Sequence, residues 1–114
     1  MAVGVEKAGD IEIGQLTEGD LDEVMRIERT SFAAPWSPGM FRQDLNFPLA
    51  RCLAARCPEA GEKRLAGYII CWFVADEVHI TNIAVRKDRR NRGIAGRLVE
   101  GALNLARQCG MRVC

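Results

Sequence analysis

Six basic residues crowd into Arg86–Arg97 against one acid, Asp88, in a chain of 114 residues that otherwise balances 16 basic against 15 acidic side chains. The charge is therefore focused, and two glycines, Gly93 and Gly96, lie inside the focus. A β-rich run, Glu77–Val85, precedes this segment and a helical pattern follows it, so the loop opens a helix whose first backbone N–H groups have no intrahelical partner. Those N–H groups, the helix dipole and the neighbouring guanidinium groups converge on a spot suited to a phosphate or pyrophosphate. A Cβ at Gly93 or Gly96 would fill the space that phosphate oxygens need. Two glycines in a first turn cost on the order of 1 kcal/mol each relative to alanine, a penalty that ligand binding explains. The plain alternative is a helix start beside a solvated basic loop.

Other phosphate chemistries fit poorly. There is no G-x-x-x-x-G-K followed by Ser or Thr, and Gly93-Ile94-Ala95-Gly96 does not match G-x-G-x-x-G after a parallel strand, which argues against nucleotide hydrolysis and hydride transfer. Five cysteines, an odd number with no C-x-x-C pair, and the single histidine His79 support neither a disulfide framework nor a metal site. The cysteines read as small apolar core residues of a reducing compartment. Glu77 and His79, at the start of the strand leading to the loop, are the local candidates for orienting a nucleophile or relaying its proton; a solvated turn explains Glu77 beside Asp76 equally well, and a lone histidine at a strand start is more often an ordinary surface or half-buried residue. Tyr68 and Trp72 read as packed strand aromatics.

The elements that must position these residues follow from pattern. Asp10–Leu16 alternates loosely as a first strand. Thr17, with Asp20 three residues on, caps a helix whose stripe is Leu21, Val24, Ile27 and Phe32. Pro35 breaks that helix, and Ser37-Pro38 starts a short one to about Asn46. Arg51–Arg56 reads as a strand followed by a polar turn, Pro58–Lys63, and then a hairpin of Arg64–Ala75 and Glu77–Val85 around Asp76. The last helix places Ile94, Leu98, Ala102, Leu105 and Cys109 on one face, with Gly110 closing it. Met111–Cys114 begins to alternate like a returning strand, which reads as an unfinished domain or as a short final edge strand.

Composition agrees with one α/β domain over 1–114, residues 1–9 forming a flexible tail: 48% of residues are apolar and 27% charged. The longest apolar stretch, Leu65–Ala75, falls well short of the roughly 20 residues needed to cross a bilayer, and no leader-like run opens the chain. A cytoplasmic location is the expectation.

Arg90-Asn91-Arg92-Gly93-Ile94-Ala95 resembles the Gln/Arg-x-x-Gly-x-Gly/Ala signature of the GNAT superfamily of N-acetyltransferases, placed as in that family between a strand and a long helix. Ile27-Glu28, Ala34-Pro35-Trp36-Ser37 and His79–Val85 are similar to the ribosomal-protein-alanine N-acetyltransferases of that superfamily, and the likeness runs from about Ile11 to Cys114. It implies a mixed, mostly antiparallel sheet flanked by helices on both sides, lacking the C-terminal strands. It also implies acetyl-CoA as co-substrate, with Ile83, Ala84 and Val85 on the acetyl-pantetheine arm and Arg90, Asn91, Arg92, Gly93, Ile94, Ala95 and Gly96 at the pyrophosphate. Pro35 and Trp36 would shape the acceptor groove, with a tryptophan covering the core as the alternative. The family's acid and base residues would lie beyond Cys114.

The implied reaction is direct attack of an amine on the thioester, with no cysteine nucleophile and no metal. Free strand-edge N–H groups can stabilise the developing oxyanion. A protein α-amine, with a pKa of about 7.7–8.0, is partly neutral already, whereas a lysine near 10.4 is not. The amine chemistry therefore favours a protein α-amine, and the resemblance implies the N-terminal alanine of a ribosomal protein as that acceptor. The alternatives are an acetyl-CoA-binding fragment without activity, self-association through an open sheet edge, and an RNA- or phosphate-binding module using Arg86–Arg97.

Overall fold

The computed structural model describes residues 11–110; the expected tail over 1–9 and the strand at Met111–Cys114 lie outside the described residues. In chain order the elements are β1 (Glu12–Gln15), a 3₁₀ turn (Glu18–Asp20), α1 (Leu21–Ser31), α2 (Pro38–Leu45), β2 (Ala50–Glu59), β3 (Glu62–Val74), β4 (Glu77–Val85), a second 3₁₀ turn (Lys87–Arg89) and α3 (Ile94–Gln108). The strands lie in the order β1-β2-β3-β4, and every pairing among the described residues is antiparallel.

Both faces of the sheet are covered, which is why β3 reads as a continuous apolar run rather than an alternating one. Leu65, Tyr68 and Ile70 pack beneath α1 and α2, whereas Ala66, Ile69, Cys71 and Phe73 pack beneath α3. Each helix answers with its own stripe: Leu21, Val24, Met25 and Ile27 from α1, and Ile94, Leu98, Ala102 and Ala106 from α3. Burying one such Leu or Ile side chain contributes roughly 1.5–3 kcal/mol, so these stripes dock the helices.

Several expectations needed correction. Phe32 is not on the α1 stripe: the helix ends at Ser31, Phe32 adopts extended backbone (φ −132°, ψ 143°), and its ring is 39% exposed. Cys109 lies past the end of α3 and is exposed, Ala106 taking the buried position instead. The polar turn expected at Pro58–Lys63 shrinks to Ala60-Gly61, both at positive φ (50° and 80°), which gives a tight two-residue hairpin. Pro58 is tolerated inside β2 because β1 pairs only as far as Arg56, so its missing N–H costs no bond to β1. Trp72 is half-buried, its ring 4.9 Å from that of Phe47.

Two irregularities set up the end of β4. Ile70 pairs with Asn82 and Cys71 with Ile80, so Thr81 is an extra residue, and its hydroxyl donates to the Ile70 carbonyl at 3.2 Å. Such a bulge moves every later side chain to the other face. Val78 before it and Ile83 and Val85 after it therefore share the α3 side, while Ala84 joins the α1 side. At Gly67, opposite Val85, an added Cβ would sit 2.8 Å from the Ala84 carbonyl oxygen, so only glycine lets β3 and β4 close this tightly.

Candidate active site

The backbone turns from β4 into α3 through two left-handed residues, Asn91 (φ 66°) and Gly93 (φ 78°), the second being the N-cap of α3. The first intrahelical bond runs from the Arg97 N–H to the Gly93 carbonyl at 3.1 Å, so the N–H groups of Ile94, Ala95 and Gly96 face outward without a helical partner. An added Cβ at Gly93 or Gly96 meets nothing within 4 Å. Gly93 is explained by its left-handed backbone, but Gly96 has no such need and fills no tight contact. What Gly96 supplies is open space above the helix end.

This loop borders a cleft of about 510 Å³. Ile83, Ala84 and Val85 form one wall, and Arg90, Asn91, Gly93, Ile94 and Ala95 form the floor. Of the residues expected to hold the ligand, Arg92 and Gly96 are exposed on the loop and helix end but do not line the cleft. Ser31, Phe32 and Arg89 complete it and were not anticipated. The end of α1 delivers Ser31 and Phe32 there, a tertiary placement that helical periodicity does not reveal. Among the described residues β4 pairs only with β3, so its other edge is open along the cleft wall.

The expected convergence of guanidinium groups is not what the fold builds. Arg86 pairs with Glu59 and with Asp88 (2.7 Å), and Arg89 pairs with the same Glu59 oxygen at 2.7 Å. These contacts, Arg86 first and Arg89 second, hold the Glu59 carboxyl down at about 2. Arg90 donates from Nε to the Val85 carbonyl (2.9 Å) and from its guanidinium to the Ser31 hydroxyl (3.0 Å). Arg97 donates to the Ile11 carbonyl at 3.0 Å. Lys87 and Arg92 are the exposed cations of the segment without such internal duties. Most of the basic stripe is therefore scaffold, which weakens the RNA-binding alternative, and the anion site rests on backbone N–H groups.

A buried carboxylate lies behind the cleft. Glu28 of α1 is 1% exposed; its Oε1 accepts from the Tyr68 hydroxyl (2.5 Å) and the Asn82 side-chain amide (3.0 Å), and its Oε2 accepts from the Trp36 backbone N–H (2.9 Å). Burial first, and then the Glu28 carboxylate, push the Tyr68 phenol well above its ordinary value. Tyr68 is thus a packed, proton-retaining strand aromatic, its ring meeting Phe41 edge-on at 5.7 Å. Trp36 is half-buried, 5.0 Å from Phe41, and Pro35 is exposed; neither lines the cleft. Glu77 and His79 are exposed and pair with each other at 3.0 Å on the far side of the Thr81 bulge from the cleft wall. Cys52, Cys57 and Cys71 are buried thiols, and burial raises Cys71 to about 11. No metal-binding group of His, Cys, Asp and Glu occurs among the described residues.

A profile of the Acetyltransferase (GNAT) family matches residues 21–114, a span that takes in α1, the whole cleft and α3. The chain belongs to the GNAT acetyltransferase family. A Bacillus subtilis (strain 168) protein named "Putative ribosomal protein bS18-alanine N-acetyltransferase" is 33% identical over 90 residues, covering 78% of this chain and 57% of that protein. The crystal structure of the ribosomal-protein-S18-alanine N-acetyltransferase from Escherichia coli matches with a TM-score of 0.76 at 26% identity, over 89% of this chain and 62% of that one. NAA60 of Arabidopsis thaliana in complex with acetyl-CoA shares the fold, with a TM-score of 0.70 at 20% identity over 83% of this chain and 66% of that one. The chain spans 57–62% of the length of the two bacterial relatives.

For a GNAT chain the implied co-substrate is acetyl-CoA, and the residues present fit it. The outward N–H groups of Ile94, Ala95 and Gly96, the unfilled space over Gly93 and Gly96, and the open edge of β4 offer an anion seat continuous with a strand edge.

Proposed function

We propose that this GNAT chain binds acetyl-CoA in the cleft and serves a protein N-terminal acetyltransferase whose acceptor is the N-terminal alanine of a ribosomal protein. The observation that carries the reading is the continuity of two features in one cleft: the open β4 edge at Ile83–Val85 and the glycine-opened start of α3. The acceptor class is taken from the names of the two bacterial relatives.

Acetyl-CoA supplies an activated acetyl thioester. The chain's own residues then have distinct tasks. The N–H groups of Ile94, Ala95 and Gly96, with Asn91, Arg92 and Gly93 shaping the turn, hold the pyrophosphate. Ile83, Ala84 and Val85 offer strand-edge backbone groups to the pantetheine arm and donors toward the carbonyl oxygen. Arg90 keeps the strand end and the loop in register through Val85 and Ser31. Pro35 and Trp36, which stand outside the cofactor cleft itself, form the wall along which the acceptor's N-terminus approaches. An α-amine needs little deprotonation at neutral pH, which suits a site whose described titratable groups are few.

The reading includes one domain over 1–114 and a cytoplasmic location. No helix among the described residues is long and apolar enough to cross a membrane. The test is acetyl transfer from acetyl-CoA to peptides that differ only in their first residue, followed by mass spectrometry. Modification of the α-amine of an alanine-initiated peptide supports the reading. Transfer to lysine side chains alone, or to none of the peptides while acetyl-CoA binds, contradicts the assigned acceptor.

A further inference from the structure

We infer that Glu28 is a positioning residue that couples the cofactor strand to the acceptor wall, an inference that rests on the proposed function. Glu28 is a carboxylate 1% exposed, and its described polar partners are three hydrogen-bond donors rather than a cation. Each donor comes from a different part of the site. Asn82 is the residue directly after the Thr81 bulge and directly before the cleft wall Ile83–Val85. Trp36 donates through its backbone N–H and so fixes the chain where Pro35 and Trp36 stand. Tyr68, in the central strand β3, supplies the third donor and anchors the carboxylate to the rigid core.

The arrangement as it stands uses a carboxylate. Its two oxygens accept all three bonds, whereas a glutamine has one acceptor oxygen and could keep it on Trp36 N–H only if Tyr68 and Asn82 turned to accept from its NH₂ group. A buried, fully satisfied polar group fixes geometry because each lost bond leaves an unpaired donor in a low-dielectric interior. The bulge contributes directly: were β4 to alternate regularly through Thr81, Asn82 would share the α3 face with Val78 and lie out of reach of Glu28. Ordering of β4 by acetyl-CoA is thereby passed through Asn82 and Glu28 to the Trp36 backbone, which gives the acceptor wall its place once the cofactor is seated.

The test is amide hydrogen exchange at Trp36, with and without saturating acetyl-CoA, alongside calorimetric affinity, in the wild-type chain, Glu28→Ala and Asn82→Ala. In the wild type, acetyl-CoA should slow Trp36 exchange about tenfold. Asn82→Ala should keep the ligand-free protection of Trp36, because Oε2 of Glu28 remains in place, yet lose the ligand-induced slowing while acetyl-CoA affinity stays within about fivefold. Glu28→Ala should lose both kinds of protection, and should it fail to fold, Asn82→Ala carries the test alone. Ligand-induced slowing that persists in Asn82→Ala, or is absent from a wild type that binds acetyl-CoA, overturns the coupling and leaves the proposed function standing. A folded wild type that does not bind acetyl-CoA overturns the proposed function, and the coupling with it.

Discussion

Arg90 Nε donates to the Val85 carbonyl at 2.9 Å, tying the last residue of the cofactor strand to the loop that follows it. The same guanidinium reaches the Ser31 hydroxyl at 3.0 Å, so one side chain holds strand, loop and the end of α1 around the cleft. Charged hydrogen bonds of this kind contribute about 1.5–3 kcal/mol. Arg90→Ala should therefore weaken acetyl-CoA binding by about tenfold or more, measured by calorimetry. Arg90→Lys should not restore it, since an ammonium lacks the planar fork that reaches both acceptors.

The two loop glycines should separate in their effects. At Gly93 the left-handed backbone (φ 78°) penalises a side chain, so Gly93→Ala should destabilise the fold by about 1–3 kcal/mol. At Gly96 the backbone is ordinary helix and nothing lies within 4 Å, so Gly96→Ala should stabilise the fold by about 0.5–1 kcal/mol. It should nonetheless bind acetyl-CoA more weakly. Urea denaturation with calorimetry on both variants checks the opposition of stability and binding.

Much of this was legible in the sequence because it is local or periodic. The stripes of α1 and α3, the Thr17–Asp20 cap and the change from strand to glycine-opened helix at 85–96 are readable within a single window of residues. What escaped lies far apart in the chain. Glu28 finds its partners 8, 40 and 54 residues away, and Glu59 holds Arg86 and Arg89 across 27 and 30 residues. The Thr81 bulge leaves no mark in the alternation of Glu77–Val85, yet it decides which face Asn82 occupies. A basic stripe in sequence likewise cannot show that its arginines are committed to internal partners.

Acid sensitivity should be traceable to Asp20 and Glu59. Burial pushes the Asp20 carboxyl up, but the bonds from Arg56 and Thr17 outweigh it and the net direction is down. A depressed carboxyl contributes stability above its unfolded pKa and loses it as pH falls through the folded one, so this contribution fades below about pH 4. Asp20→Asn should cost about 1.5–3 kcal/mol at pH 7, and the deficit should shrink toward pH 2. For Glu59 the carboxyl should titrate at about 2 by NMR and move back toward 4.5 in Arg86→Ala.

The buried thiols Cys52, Cys57 and Cys71 should be inert as nucleophiles. Burial raises Cys52 to about 12 and Cys71 to about 11, whereas Cys109 is exposed. Alkylation of the folded chain followed by peptide mapping should label Cys109 and spare Cys52, Cys57 and Cys71. Any acetyl transfer should survive Cys71→Ala within a few-fold; its abolition would refute direct attack by the amine.

Titrating acetyl-CoA into the folded chain by calorimetry, with Gly96→Glu as the control, tests the cleft most directly. Glutamate at 96 adds bulk and negative charge over the outward N–H groups without left-handed strain, so circular dichroism should match the wild type. Saturable binding by the wild type and none by Gly96→Glu is the predicted result. Equal binding by both, or no binding by a folded wild type, would contradict the assignment of this loop to acetyl-CoA.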